Sequence, residues 1–144
     1  MQDLAGVASV SARLDAVLTR LSGRFRSMPE STLLRRLPNG RSRAAAGYQL
    51  AGLVAYAAQG VEDRGRDAAP AWRQLPYEGS FIVGDQIGVT GHDLLAACAR
   101  AGIGEGAVVV WGPPGMAGVA GGRERIEVVL ESVLAAAEEL ARVL

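Results

Sequence analysis

The stretch RERIEVVLESVLAAAEELARVL, residues 123–144, carries the plainest structural signal in the chain. At 100° per residue, Ile126, Val129, Leu130, Val133, Ala137, Leu140 and Leu144 fall on one stripe. Glu124, Glu127, Glu131 and Glu138 fall outside it, and Glu138 and Arg142 stand four apart as a helical ion pair. This is an amphipathic helix, and it needs other helices to cover its apolar face.

Three more such segments lie upstream. Over 3–25, Val7, Val10, Leu14, Val17, Leu18, Leu21 and Phe25 share one side, while Arg13, Arg20 and Arg24 share another. Met28-Pro29-Glu30 ends that helix, and Ser31 or Thr32 caps a short turn, STLLRRL, before Pro38-Asn39-Gly40. A helix over 42–64 starts at an N-cap Ser42, with Ala46, Leu50, Leu53, Val54, Ala57 and Val61 on its stripe. Its opposite face carries Tyr48, Gly52, Ala55, Tyr56 and Gln59, which suits a second packing surface or one wall of a pocket better than a charged solvent face. Residues 65–80 read as an ordered loop pinned by Trp72, Leu75 and Tyr77.

A further helix covers 81–101, with Val83, Ile87, Leu94 and Cys98 aligned. Its glycines 84, 88 and 91 imply either a break near 88–91, restarted at a Thr90 cap, or close approach of another helix. AVVVW, 107–111, has strand propensity, with FIV at 81–83 or a neighbouring chain as its partner; the Gly/Pro stretch after it is a loop. The fold expected is all-α: one domain over 1–144, a four-helix up-and-down bundle with an irregular Gly/Pro-rich segment before the last helix.

Composition bounds the function. The 144 residues are 49% hydrophobic and 21% charged, the mark of a globular chain with one core. Fifteen basic residues, all Arg, balance fifteen acids, which excludes a bulk polyanion binder. Residues 1–43 hold eight Arg and three acids, and the remainder reverses that excess; the plainer reading is that the two halves pack and neutralise one another. The absence of Lys and the abundance of Ala fit a genome rich in G and C. No apolar run approaches the ~18 residues of a membrane span, and the first residues lack the basic region of a signal peptide, so the expected location is the cytoplasm. Nucleic acid is excluded as a partner by the lack of aromatics interleaved with the Arg pairs 35/36 and 41/43.

No motif assigns chemistry. The Gly-rich stretch after AVVVW lacks the Lys-Ser/Thr pair of a phosphate loop. His92 is the single imidazole and lies beside Asp85, two helical turns earlier; the pair suits a positioned base, but two ligands are too few for a metal site. Cys98 sits on an apolar stripe and reads as a small core residue. The adjacent acids Glu62-Asp63 and Glu138-Glu139 read as solvated surface.

The order of segments, with LAGLVAYAAQGVEDRG in the second long helix and VGDQIGVTGHDLLAAC in the third, resembles the DinB-like helical bundles, particularly their actinobacterial maleylpyruvate isomerase-like branch. The resemblance covers residues 4–101. It implies an up-and-down four-helix bundle, often dimeric, with a His-bound divalent metal and, in many members, thiol-cofactor-dependent transfer or isomerisation. Leu50-Ala51-Gly52-Leu53 puts Gly52 where the family carries His, and His92 matches the other His-bearing segment, so the triad cannot form. The expectation is therefore a non-catalytic bundle that uses no cofactor and no metal. It binds a small molecule or protein partner through Tyr48, Tyr56, Gln59, Asp85 and His92, with homodimerisation through AVVVW or a small-residue helix face. The alternatives are a thiol- or metal-dependent enzyme using Asp85 and His92, and a structural subunit that uses the basic first helix.

Overall fold

The computed structural model describes residues 2–102, 108–116 and 122–144, with side chains from Val10 onward in the first helix. The place of Val7 on its stripe, and the parts of the Gly/Pro-rich segment at 103–107 and 117–121, lie outside the described residues. The chain is mostly helical: α1 (Gln2–Ser27), a single turn α2 (Glu30–Leu33), α3 (Arg43–Glu62), α4 (Val83–Arg100) and α5 (Ile126–Val143). A 3-10 turn, Ser80–Ile82, leads into α4. Strands β1 (Val109–Trp111) and β2 (Arg123–Arg125) form a two-stranded antiparallel sheet.

The long helices form where the apolar periodicity puts them. Val10, Leu14, Val17, Leu18, Leu21 and Phe25 of α1 are buried, and Ile126, Val129, Leu130, Val133, Ala137 and Leu140 of α5 meet them in one core. Ser42 caps α3, its hydroxyl accepting from the Ala45 N–H at 3.0 Å. Neither Ser31 nor Thr32 caps α2, whose N-cap is Pro29 with no side-chain bond.

The extended helix contacts are α3 with α4, α1 with α4, α1 with α5 and α3 with α5. They close a ring in which α1 and α3, consecutive long helices, share no extended contact. A simple meander would have made them neighbours.

Close approach explains the glycines of α4, which runs unbroken. A Cβ at Gly84 would meet the Ser22 carbonyl oxygen and the Arg26 nitrogen at 2.9 Å; one at Gly88 would meet the Ser22 hydroxyl at 2.9 Å. The Ser22 hydroxyl donates to the Gly84 carbonyl at 2.8 Å, fastening the crossing. Thr90 caps nothing: its hydroxyl donates back to the Gln86 carbonyl at 2.7 Å.

The small sheet corrects two expectations. The strand at 109–111 does not pair with FIV, which coils into the 3-10 turn and the start of α4; its partner is β2, from a segment that reads as helix. Val109 faces Arg125, Val110 faces Glu124 and Trp111 faces Arg123. Residues 123–125 are thus strand, and the last helix begins at Ile126. The hairpin seats on the end of α3, where a Cβ at Gly60 would lie 2.0 Å from the Trp111 carbonyl oxygen. The Trp111 indole donates to the Asp63 carbonyl at 3.2 Å. Arg123 lies over the Trp111 ring, 4.2 Å from its centroid, and donates to the carbonyls of Arg64 and Arg66, each at 2.5 Å. The guanidinium thereby satisfies carbonyls of the turn that follows α3.

The opposed charges of the two halves meet. Arg13 pairs with Glu138 at 3.2 Å, Arg26 with Asp85 at 2.9 Å, and Arg24 donates to the Ala141 carbonyl at 3.3 Å. Glu138 therefore pairs with α1 and not with Arg142, which pairs with Glu139 instead. No described helix is long and apolar enough to cross a membrane.

Candidate functional site

The α3–α5 side of the ring is splayed, and the gap is an open groove of about 950 Å³. One wall is the outer face of α3, from Ala46 through Gln49, Gly52 and Leu53 to Tyr56. The other is α5, with Ser132, Ala135, Ala136, Glu139 and Val143. The Leu37-Pro38-Asn39 turn, the 74–75 segment and Pro114-Gly115-Met116 complete it. Small side chains make the room: Gly52 has nothing within 4 Å of the place a Cβ would take. Most lining side chains are apolar, and the neutral polar groups are Asn39, Gln49, Gln74, Ser132 and the Tyr56 hydroxyl.

The two tyrosines of the α3 face line this groove and also anchor the loop that borders it. Tyr48 donates its hydroxyl to the Leu75 carbonyl and meets Tyr77 edge to face, with ring centroids 5.2 Å apart. Tyr56 meets Trp72 edge to face at 5.8 Å. Its hydroxyl makes no hydrogen bond among the described residues and remains available to a ligand.

The other three residues singled out from sequence lie elsewhere. Gln59 is buried, and both ends of its amide bind one residue: its oxygen accepts from the Arg73 N–H at 2.8 Å and its nitrogen donates to the Arg73 carbonyl at 3.0 Å. This fixes the loop as a backbone pairing would, and Gln59 does not line the groove. Asp85 is exposed and engaged by Arg26, and His92 is exposed on the same helix. No α4 residue lines the groove, so Asp85 and His92 are not gathered with Tyr48 and Tyr56. Among the described residues no cluster of three or more His, Cys, Asp or Glu is placed to hold a metal.

Cys98 is buried beneath α4, and that burial pushes its thiol up to about 11, against a weaker opposite pull from Arg64. A thiol held protonated at neutral pH is a poor nucleophile.

The α5 wall, the 37–39 turn and Pro114–Met116 were not visible from sequence as parts of a site. The only hint was Ala135-Ala136, small residues at the margin of the apolar stripe. Comparison with protein-family models, with curated proteins and with solved structures finds no match for this chain.

Proposed function

We propose that the protein is a non-catalytic helical bundle that binds a small, largely apolar molecule in the α3–α5 groove. The carrying observation is the groove itself. About 950 Å³ lies within the span of small-molecule sites, its walls are mostly apolar, and a few neutral polar groups and one unengaged tyrosine hydroxyl punctuate it. The four-helix arrangement belongs to the same proposal, supported by the ring of contacts α1–α4–α3–α5. Kinship with the DinB-like bundles is proposed at the level of four long helices only, since the ring order departs from the meander that the resemblance implies. Gly52 in place of the family His leaves its metal chemistry without ligands.

The test is titration with N-phenyl-1-naphthylamine, a neutral apolar dye that brightens when it leaves water. The expected outcome is saturable binding that falls about tenfold in Ala135→Trp, where an exposed helix position fills the groove, and about fivefold in Tyr56→Ala, which removes an aromatic contact worth about 1 kcal/mol. Unchanged dye affinity in both variants, with circular dichroism showing both folded, overturns the reading.

A further inference from the structure

Four arginines flank one end of the groove. From 31 to 61 the chain has no Asp or Glu, yet holds Arg35, Arg36, Arg41 and Arg43. None of the four joins an ion pair among the described residues. The Leu37–Asn39 turn between them is one boundary of the groove. Arg36 donates to the Gly40 carbonyl at 2.5 Å, which fixes that turn. Arg41 donates through Nη1 to the Gln49 side-chain oxygen at 2.6 Å, and Gln49 lines the groove. Its guanidinium is thereby held at the rim, with its remaining nitrogens unbonded among the described residues. The one acid in the lining, Glu139, is engaged by Arg142. An apolar trough thus begins at an unneutralised cation.

Along α3 the trough runs from Ala46 to Tyr56, ~15 Å at 1.5 Å per residue. We propose that its occupant is a single-chain aliphatic carboxylate, with the chain along α3 and the carboxylate at Arg41. This rests on the groove reading and adds the class of ligand. A planar guanidinium matches a carboxylate with two parallel hydrogen bonds. An ammonium head would be repelled at this end, and an alcohol would gain only an ordinary hydrogen bond.

The experiment is calorimetric titration of the full chain at low salt with decanoate, decanol and decyltrimethylammonium, each below its aggregation concentration. The variants are Arg41→Gln and Ala135→Trp. Decanoate should bind about fivefold more tightly than decanol, as befits an exposed ion pair, and decyltrimethylammonium most weakly. Arg41→Gln should bring decanoate to the level of decanol and leave decanol unchanged, and Ala135→Trp should weaken both. Equal binding of decanoate and decanol, or decanoate unmoved by Arg41→Gln while Ala135→Trp still blocks it, overturns the carboxylate assignment and leaves the groove reading standing. No binding of any of the three, or binding indifferent to Ala135→Trp, overturns both.

Discussion

Gly60 sits where the backbone of a strand presses on a helix, and no other residue fits there. With the Trp111 carbonyl oxygen 2.0 Å from any added Cβ, Gly60→Ala must push the hairpin off α3. We expect a loss of at least ~2 kcal/mol in urea unfolding, since the obstacle is main chain and cannot rotate away. Cys98 makes a prediction of a different kind. Its folded-state pKa of about 11 lies above the ordinary value of 9.0, so above pH 9 the unfolded chain releases a proton that the folded chain keeps. The stabilisation is complete below pH 9 and fades as pH rises towards 11. Wild type should therefore lose more stability than Cys98→Ala across that window, by on the order of 2 kcal/mol, in paired urea melts at pH 8 and pH 11. The core role of Cys98 was legible from its apolar stripe. The need for Gly at 60 was not, because the clashing atom belongs to a residue 51 positions away.

Among the elements, the long helices were legible and the sheet was not. A period of 3.6 in apolar residues is written in the sequence, and burial follows it in α1, α4 and α5. The partner of β1 is three residues, Arg-Glu-Arg, that continue seamlessly into a helical pattern; only the packing of Arg123 on Trp111 and the end of α3 marks them as strand. The α3 face with two tyrosines was readable as a wall, but half of its function is to hold the 72–77 loop, which no periodicity discloses. Gly52 separates the two roles of that face. Its Cβ space is empty, so Gly52→Ala should add about 0.5–1 kcal/mol to stability through helix propensity alone, measured by urea unfolding.

For the molecule as a whole, the basic first third and the acidic remainder were legible as mutual partners, and Arg13–Glu138 and Arg26–Asp85 realise that. These pairs are exposed and contribute little each; the core holds the fold. Raising salt from 0.05 to 0.5 M should change the free energy of unfolding by no more than ~1 kcal/mol in denaturant titrations. The ring order of helices was not legible, because apolar stripes say which face is covered and never by whom.

Apart from the face that opens on the groove, helix α3 is enclosed: α4 and α5 pack against it, the hairpin closes its end, and Tyr48 and Gln59 fasten the 72–77 loop to it. An enclosed helix cannot open alone. Its central amides should trade hydrogen for deuterium only when the entire chain unravels, making α3 the slowest-exchanging segment, while the four-residue α2 equilibrates through local fraying. The same enclosure makes α3 a clock for the rest: whatever occupies the groove and holds the folded state closed should lengthen the exchange lifetime of α3 amides in proportion to its concentration, even at residues it never touches.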